Sequence, residues 1–187
     1  MDQQKFEIRS SEITADEQKL TGYVVKWNSS SEVLFCDFVE QFSPNAFTET
    51  LKDGKDVRAL FEHDSSKLLG RTSSGTLKLE QDKIGLRFEL TPPDTSLGRD
   101  LLVSVARGDI SGMSFGFLLL EETWDFEQEP ALRQIHKAEL FEITVTSIPA
   151  YPESSVELSK RSMMTAKEKT QTKSTALFNY WADLAEF

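Results

Sequence analysis

The chain has 187 residues and a formal net charge of −10, with 31 acidic against 21 basic residues and 39% hydrophobic residues. That suits one domain of roughly 100–200 residues with a real core; it excludes wholesale disorder, no apolar run approaches the ~20 residues of a membrane span, and the acidic balance argues against nucleic acid as the main partner. One cysteine, Cys36, rules out an internal disulfide framework, and with two histidines a structural zinc site is not expected.

Met1-Asp2-Gln3-Gln4-Lys5 lacks a basic region followed by an apolar one, so no signal peptide is expected. Leu20 to Trp27 and Val33 to Val39 are β-rich and predict strands. Ser43 and Pro44 suit the N-cap and first turn of a helix ending near Gly54. Asp56 to Glu62 predicts a strand with Val57, Ala59 and Phe61 on one face. Thr76 to Leu79 and Leu86 to Leu90 predict a hairpin turning at Asp82 to Gly85. Thr91 to Thr95 breaks the sheet, and Ser96 to Arg107 predicts a helix. Its apolar stripe is Leu97, Leu101 and Val105, widened by Leu102 and Ala106, and Gly108 is its left-handed stop. Two long strands follow, Ile110 to Leu120 and Leu132 to Thr146, joined by the polar stretch Glu121 to Pro130.

Residues 1–157 read as the folded body. The stretch 158–175 reads as a polar, basic linker; residues 157–173 carry five basic and two acidic side chains. Ala176 to Phe187 reads as an amphipathic helix with Leu177, Trp181 and Leu184 on one face, either docked on its own domain or offered to a partner.

Chemistry concentrates in three places. In Ile110 to Phe117, alternation puts Met113, Phe115, Phe117 and Leu119 on a core face and Gly112, Ser114 and Gly116 on the other. A hydroxyl between two glycines has an open approach, which suits a nucleophile as well as an ordinary surface serine. His63 stands at a strand end and could act as the base that a serine needs. His136 lies in an exposed-looking charged stretch. A third group would orient the imidazole. If Phe141, Ile143 and Val145 face the core, Glu142, Thr144 and Thr146 share the face of Ser114, which favours Glu142 over Glu139. Asp64 ranks lower, because neighbours in an extended chain point apart. Phosphate-binding loops, dinucleotide glycine patterns, CxxC and GxSxG are all missing.

Taken in order, Gly22 to Trp27, Phe42-Ser43-Pro44-Asn45-Ala46-Phe47, Ala59 to Asp64, Leu68 to Thr72, Gly108 to Phe117 with its GMSFGF ending, Glu139 to Thr146, and Pro149 to Pro152 resemble the prohead (capsid maturation) serine proteases of tailed bacteriophages. The resemblance covers roughly residues 5–155. Asn45 replaces the glycine of the family's "PGAF" stretch, and Glu62 replaces the asparagine of its "NHD" element. The resemblance implies an α+β fold shared with the herpesvirus assembly proteases: a small antiparallel β-barrel surrounded by helices. It implies Ser114 as nucleophile and His63 as general base, with neither metal nor cofactor. The herpesvirus enzymes use a second histidine where this chain offers a carboxylate, Glu142. The implied substrates are the scaffold and the N-terminal segment of the major capsid protein, cleaved inside the immature capsid in the host cytoplasm, with self-cleavage of a tail. No nucleic-acid or membrane partner is implied. Oligomeric state stays open, although the herpesvirus relatives dimerise. Two other classes are weighed: a non-catalytic capsid scaffold of the same fold, and a barrel that binds a small ligand in an apolar cavity. Phe61, Phe88, Phe115 and Phe117 argue for a filled interior instead.

Overall fold

The structure, a computed structural model, describes residues 6–16, 18–31, 33–34, 37–147 and 162–169. In chain order the elements are β1 (Phe6–Asp16), β2 (Lys19–Lys26), β3 (Phe38–Phe42), α1 (Thr48–Lys52), β4 (Arg58–Phe61), β5 (Asp64–Arg71), β6 (Leu77–Gln81), β7 (Gly85–Leu90), α2 (Ser96–Arg107), β8 (Gly112–Asp125) and β9 (Ala131–Thr146). Residues 162–169 are also helical. No helix among the described residues is long and apolar enough to cross a membrane.

Alternating apolar residues build β2, the β6–β7 hairpin and α2 much as expected. Thr95 caps α2 by accepting a hydrogen bond from the Gly98 amide, and Gly108 closes it at φ 81°. A Cβ on Gly98 would lie 2.0 Å from the Pro93 carbonyl oxygen, so the first turn packs that closely only with glycine there. Leu101 and Val105 are buried as expected, whereas Ala106 is exposed.

Several local expectations are corrected. The helix expected from Ser43 shrinks to α1, because Asn45 takes φ +68° and the chain turns before a helix can start. Ser43 Oγ is engaged instead with Gln134 and His136. The strand expected from Val33 starts only at Phe38, since Leu34 makes a single bridge back to Phe38. β8 runs five residues further than expected, to Asp125, and pairs with β9 along its length. A bulge between Gly116 and Phe117 switches which alternate residues of β9 face the core. Phe141, expected in the core, is therefore 43% exposed while Leu140 is buried.

Among the described residues the strands share one sheet, ordered β5-β4-β9-β8-β1-β2-β7-β6, with β3 also paired to β9. The expected closed antiparallel barrel does not form. The path ends at β5 and β6, which do not pair with each other, and both β3 and β4 run parallel to β9. The reason lies in the link between the two edges. The 3-10 turn Thr72–Ser74 follows β5 directly, and the Arg71 amide bonds the Thr76 hydroxyl instead of a neighbouring strand. Among the described residues helices do not ring the sheet either: α1 has 5 residues and α2, packed on β1, has 12.

One core joins β2, β4, β7, β8, β9 and α2. Its centre is aromatic: Phe42 lies 5.6 Å from Phe47 and 5.3 Å from Phe117, and Phe47 lies 6.3 Å from Phe115, centroid to centroid. Each such pair adds about 0.5–1.5 kcal/mol beyond area burial, and together the rings fill the space a small-ligand barrel would leave open. A second cluster joins Leu34, Phe38 and Met163, with Trp124, Phe126 and Ala131 against it. Part of the stretch expected as a linker is thus seated on the β8–β9 arm. The amphipathic segment expected at 176–187 lies outside the described residues.

Candidate active site

β9 is flanked by β4 on one side and β8 on the other, and this places the candidate residues. Ser114 on β8 stands opposite Thr144 on β9, and Gly116 stands opposite Glu142. Glu142 precedes Thr144 by one strand repeat, so it shares the face of Ser114 and lies diagonal to it. Diagonal cross-strand neighbours are roughly 7–8 Å apart, about the span of an imidazole with a hydrogen bond at either end.

His63 supplies that imidazole. β4 ends with Phe61 beside Val145 and β5 begins with Asp64, so Glu62 and His63 alone connect the two strands. Both have positive φ, 53° and 54°. That is the pattern of a tight type I′ hairpin connection, which usually selects Asn and Gly. Left-handed geometry at non-glycine residues costs about 1–3 kcal/mol each and persists only where surrounding contacts enforce it.

The turn carries the His63 ring to β9, where Nδ1 lies 2.7 Å from Glu142 Oε1. An ionised carboxylate only accepts, so Nδ1–H donates, and in the neutral imidazole Nε2 then keeps its lone pair, the tautomer that a general base requires. The two side chains are 23% and 14% exposed, so the pair is sheltered from solvent screening but not sealed.

Ser114 departs from its expected open position: it is 0% exposed. The bonds of His63 to Glu142 and of Thr146 to Glu62 tie the β4–β5 turn to β9. Ser114 Oγ, His63 Nε2 and Thr144 Oγ1 are each buried without a hydrogen-bond partner among the described residues. Ser114 and His63 are therefore not bonded to each other in this state. Catalytic contacts of that kind often tighten only with substrate bound.

The other candidates are engaged elsewhere. Glu139 pairs with Lys55 at 2.7 Å. Asp64 accepts hydrogen bonds from the Ser66 amide and hydroxyl. His136, expected in an exposed stretch, is partly buried with Nδ1 on Ser43 and Nε2 on Thr123. Among the described residues no three His, Cys, Asp or Glu side chains group as a metal site.

Sequence reasoning passed over Glu62. Its Oε2 accepts from Thr146 Oγ1 and its Oε1 from both the amide and the hydroxyl of Ser147, all at 2.8 Å. Partial burial pushes its pKa up, but the bonds from Ser147 and Thr146 more than offset this and hold the carboxyl below its ordinary range. The available signal was the departure from asparagine at this position.

A family model described as caudovirus prohead serine protease matches residues 4–169. Among solved structures, that of the bacteriophage T4 capsid assembly protease, gp21, superimposes with a TM-score of 0.53 at 9% identity, covering 78% of this chain and 99% of that one. At that identity the likeness concerns the fold. No curated protein matches the sequence.

Proposed function

Because this chain belongs to the caudovirus prohead serine protease family, we propose that it is a capsid-maturation endopeptidase with Ser114 as nucleophile, His63 as general base and Glu142 as the group that orients His63. The observation that carries this reading is the 2.7 Å His63–Glu142 bond on the face of Ser114, one strand repeat from the residue opposite it.

In the proposed reaction Ser114 Oγ attacks the scissile carbonyl carbon and its proton passes to His63 Nε2. Glu142 stabilises the imidazolium through Nδ1–H. Collapse of the tetrahedral intermediate breaks the C–N bond, and His63 returns the proton to the leaving amine. Water then adds to the acyl-enzyme, giving a proton to His63, and the acid product leaves as Ser114 is reprotonated. Neither metal nor cofactor enters these steps.

The proposed substrates are the scaffold and the N-terminal segment of the major capsid protein, cleaved inside the immature capsid, together with the enzyme's own tail. The structural neighbour from T4 is a capsid assembly protease, which fits this setting. The protease body is taken as residues 1–157, and Lys160 to Phe187 as a self-cleaved tail for packaging into proheads. The test is co-expression with the phage's capsid and scaffold proteins, wild type against Ser114→Ala, read by intact-protein mass. Loss of all cleavage in the variant supports the reading; undiminished cleavage in the variant, or none in either, overturns it.

A further inference from the structure

We propose that Glu62 is a positioning residue: its carboxylate anchors the β4–β5 turn to the end of β9 and so holds the His63 imidazole in line between Glu142 and Ser114. This rests on the reading of His63 as the general base.

Two consecutive left-handed residues, neither of them glycine or asparagine, form the connection that aims the ring. Glutamate has little preference for that geometry, whereas the asparagine of the family motif adopts it readily. Something outside the turn must hold it. The glutamate side chain, one methylene longer than asparagine's, spans to Thr146 and Ser147 and accepts three hydrogen bonds there. The same strand supplies Glu142, four residues before Thr146. Residues 62 and 63 are therefore fastened to β9 at two points: Glu62 binds its end, and His63 binds one repeat short of Thr144. A ring held at Nδ1 alone could swing about that bond. With the turn fixed as well, Nε2 has one direction left, toward the row that holds Ser114 and Thr144.

The test compares wild type, Glu62→Ala, Glu62→Gln, Glu62→Gly and Thr146→Val, with folding checked by circular dichroism. Activity is read with a fluorophosphonate probe, in which the Ser114 oxygen displaces fluoride from phosphorus. Independently, proton NMR reads the low-field resonance of His63 Nδ1–H on Glu142. The expected result is a loss of at least tenfold in the saturating labelling rate of Glu62→Ala, with the half-saturating probe concentration within about twofold and the Nδ1–H resonance broadened. Glu62→Gln keeps an acceptor oxygen for Ser147 and should stay within a few-fold of wild type. Thr146→Val should shift both readouts in the same direction as Glu62→Ala, by less. Wild-type labelling and resonance in Glu62→Ala overturn the proposal. So does full activity in Glu62→Gly, because the clasp would then only offset backbone strain. Should Ser114→Ala label like wild type, the nucleophile assignment fails while the NMR comparison still decides the clasp.

Discussion

Ser114 illustrates how little a residue's identity says without its neighbours. Its hydroxyl is fully buried with no hydrogen-bond partner among the described residues, and leaving a buried hydroxyl unsatisfied costs about 1–3 kcal/mol. In the proposed arrangement Glu142 holds the other end of the line. Glu142→Gln removes the charge and lets the side-chain amide donate to Nδ1, which favours the tautomer with the proton on Nε2. We expect cleavage to fall by on the order of 10²–10⁴-fold in kcat with KM nearly unchanged, measured by steady-state kinetics on the cleaved capsid segment. A drop confined to KM would mean that Glu142 binds substrate rather than tuning the base.

At the scale of elements, two charged groups hold parts of the sheet where alternation alone would not. Asp56, just before β4, pairs with Arg71 at the end of β5 and accepts from the Ser73 amide at 3.0 Å. The Arg71 guanidinium, aided by Ser73, holds the Asp56 carboxyl far below the usual range. A depressed folded pKa contributes stability that is fully present above the unfolded value, about 3.9, and is lost as pH falls through the folded one. Wild type should therefore lose stability as pH drops below about 4, and Asp56→Asn should lose less over that interval while starting lower at pH 7; urea midpoints across the range measure both. Arg133 is the second group. It is 0% exposed, with Nε 2.6 Å from Glu122 and a terminal nitrogen 2.8 Å from Glu40. Arg133→Ala removes the buried cation between Glu40 and Glu122 and should cost about 3–5 kcal/mol by chemical denaturation.

At the scale of the molecule, the β8–β9 arm carries the helix at 162–169. Ser162 donates to Glu122, Met163 packs on Leu34 and Phe38, and Lys167 lies 5.7 Å over the Phe126 ring. Uncovering that cluster forfeits roughly 1.5–3 kcal/mol from the methionine alone. Truncation before residue 162 should lower Tm by several degrees in a thermal scan, about 3–12 °C for a domain of this size class. Below that temperature the truncated body should keep the labelling rate of the full chain, since none of these contacts involves Ser114, His63 or Glu142. An unchanged Tm would show that the helix is not held by the body.

What was legible in the chain was everything carried by short-range periodicity and local chemistry. That includes α2 between Thr95 and Gly108, the β6–β7 hairpin, the core face of Met113, Phe115 and Phe117, and the shared face of Glu142 and Thr144. The resemblance of the ordered motifs to prohead proteases was legible too, because it depends on residue order and not on packing. Long-range pairing was not legible. Parallel alignment of β4 with β9 and the bulge at Gly116 are set by contacts between residues about 80 positions and about 25 positions apart, respectively. Polar strands such as β1 and β5 have weak alternation and form because neighbouring strands supply their hydrogen bonds. Residue identity and order were enough to say which side chains could do chemistry. Which of them meet was settled by packing, because the turn at Glu62 and His63 is held left-handed by the far end of another strand.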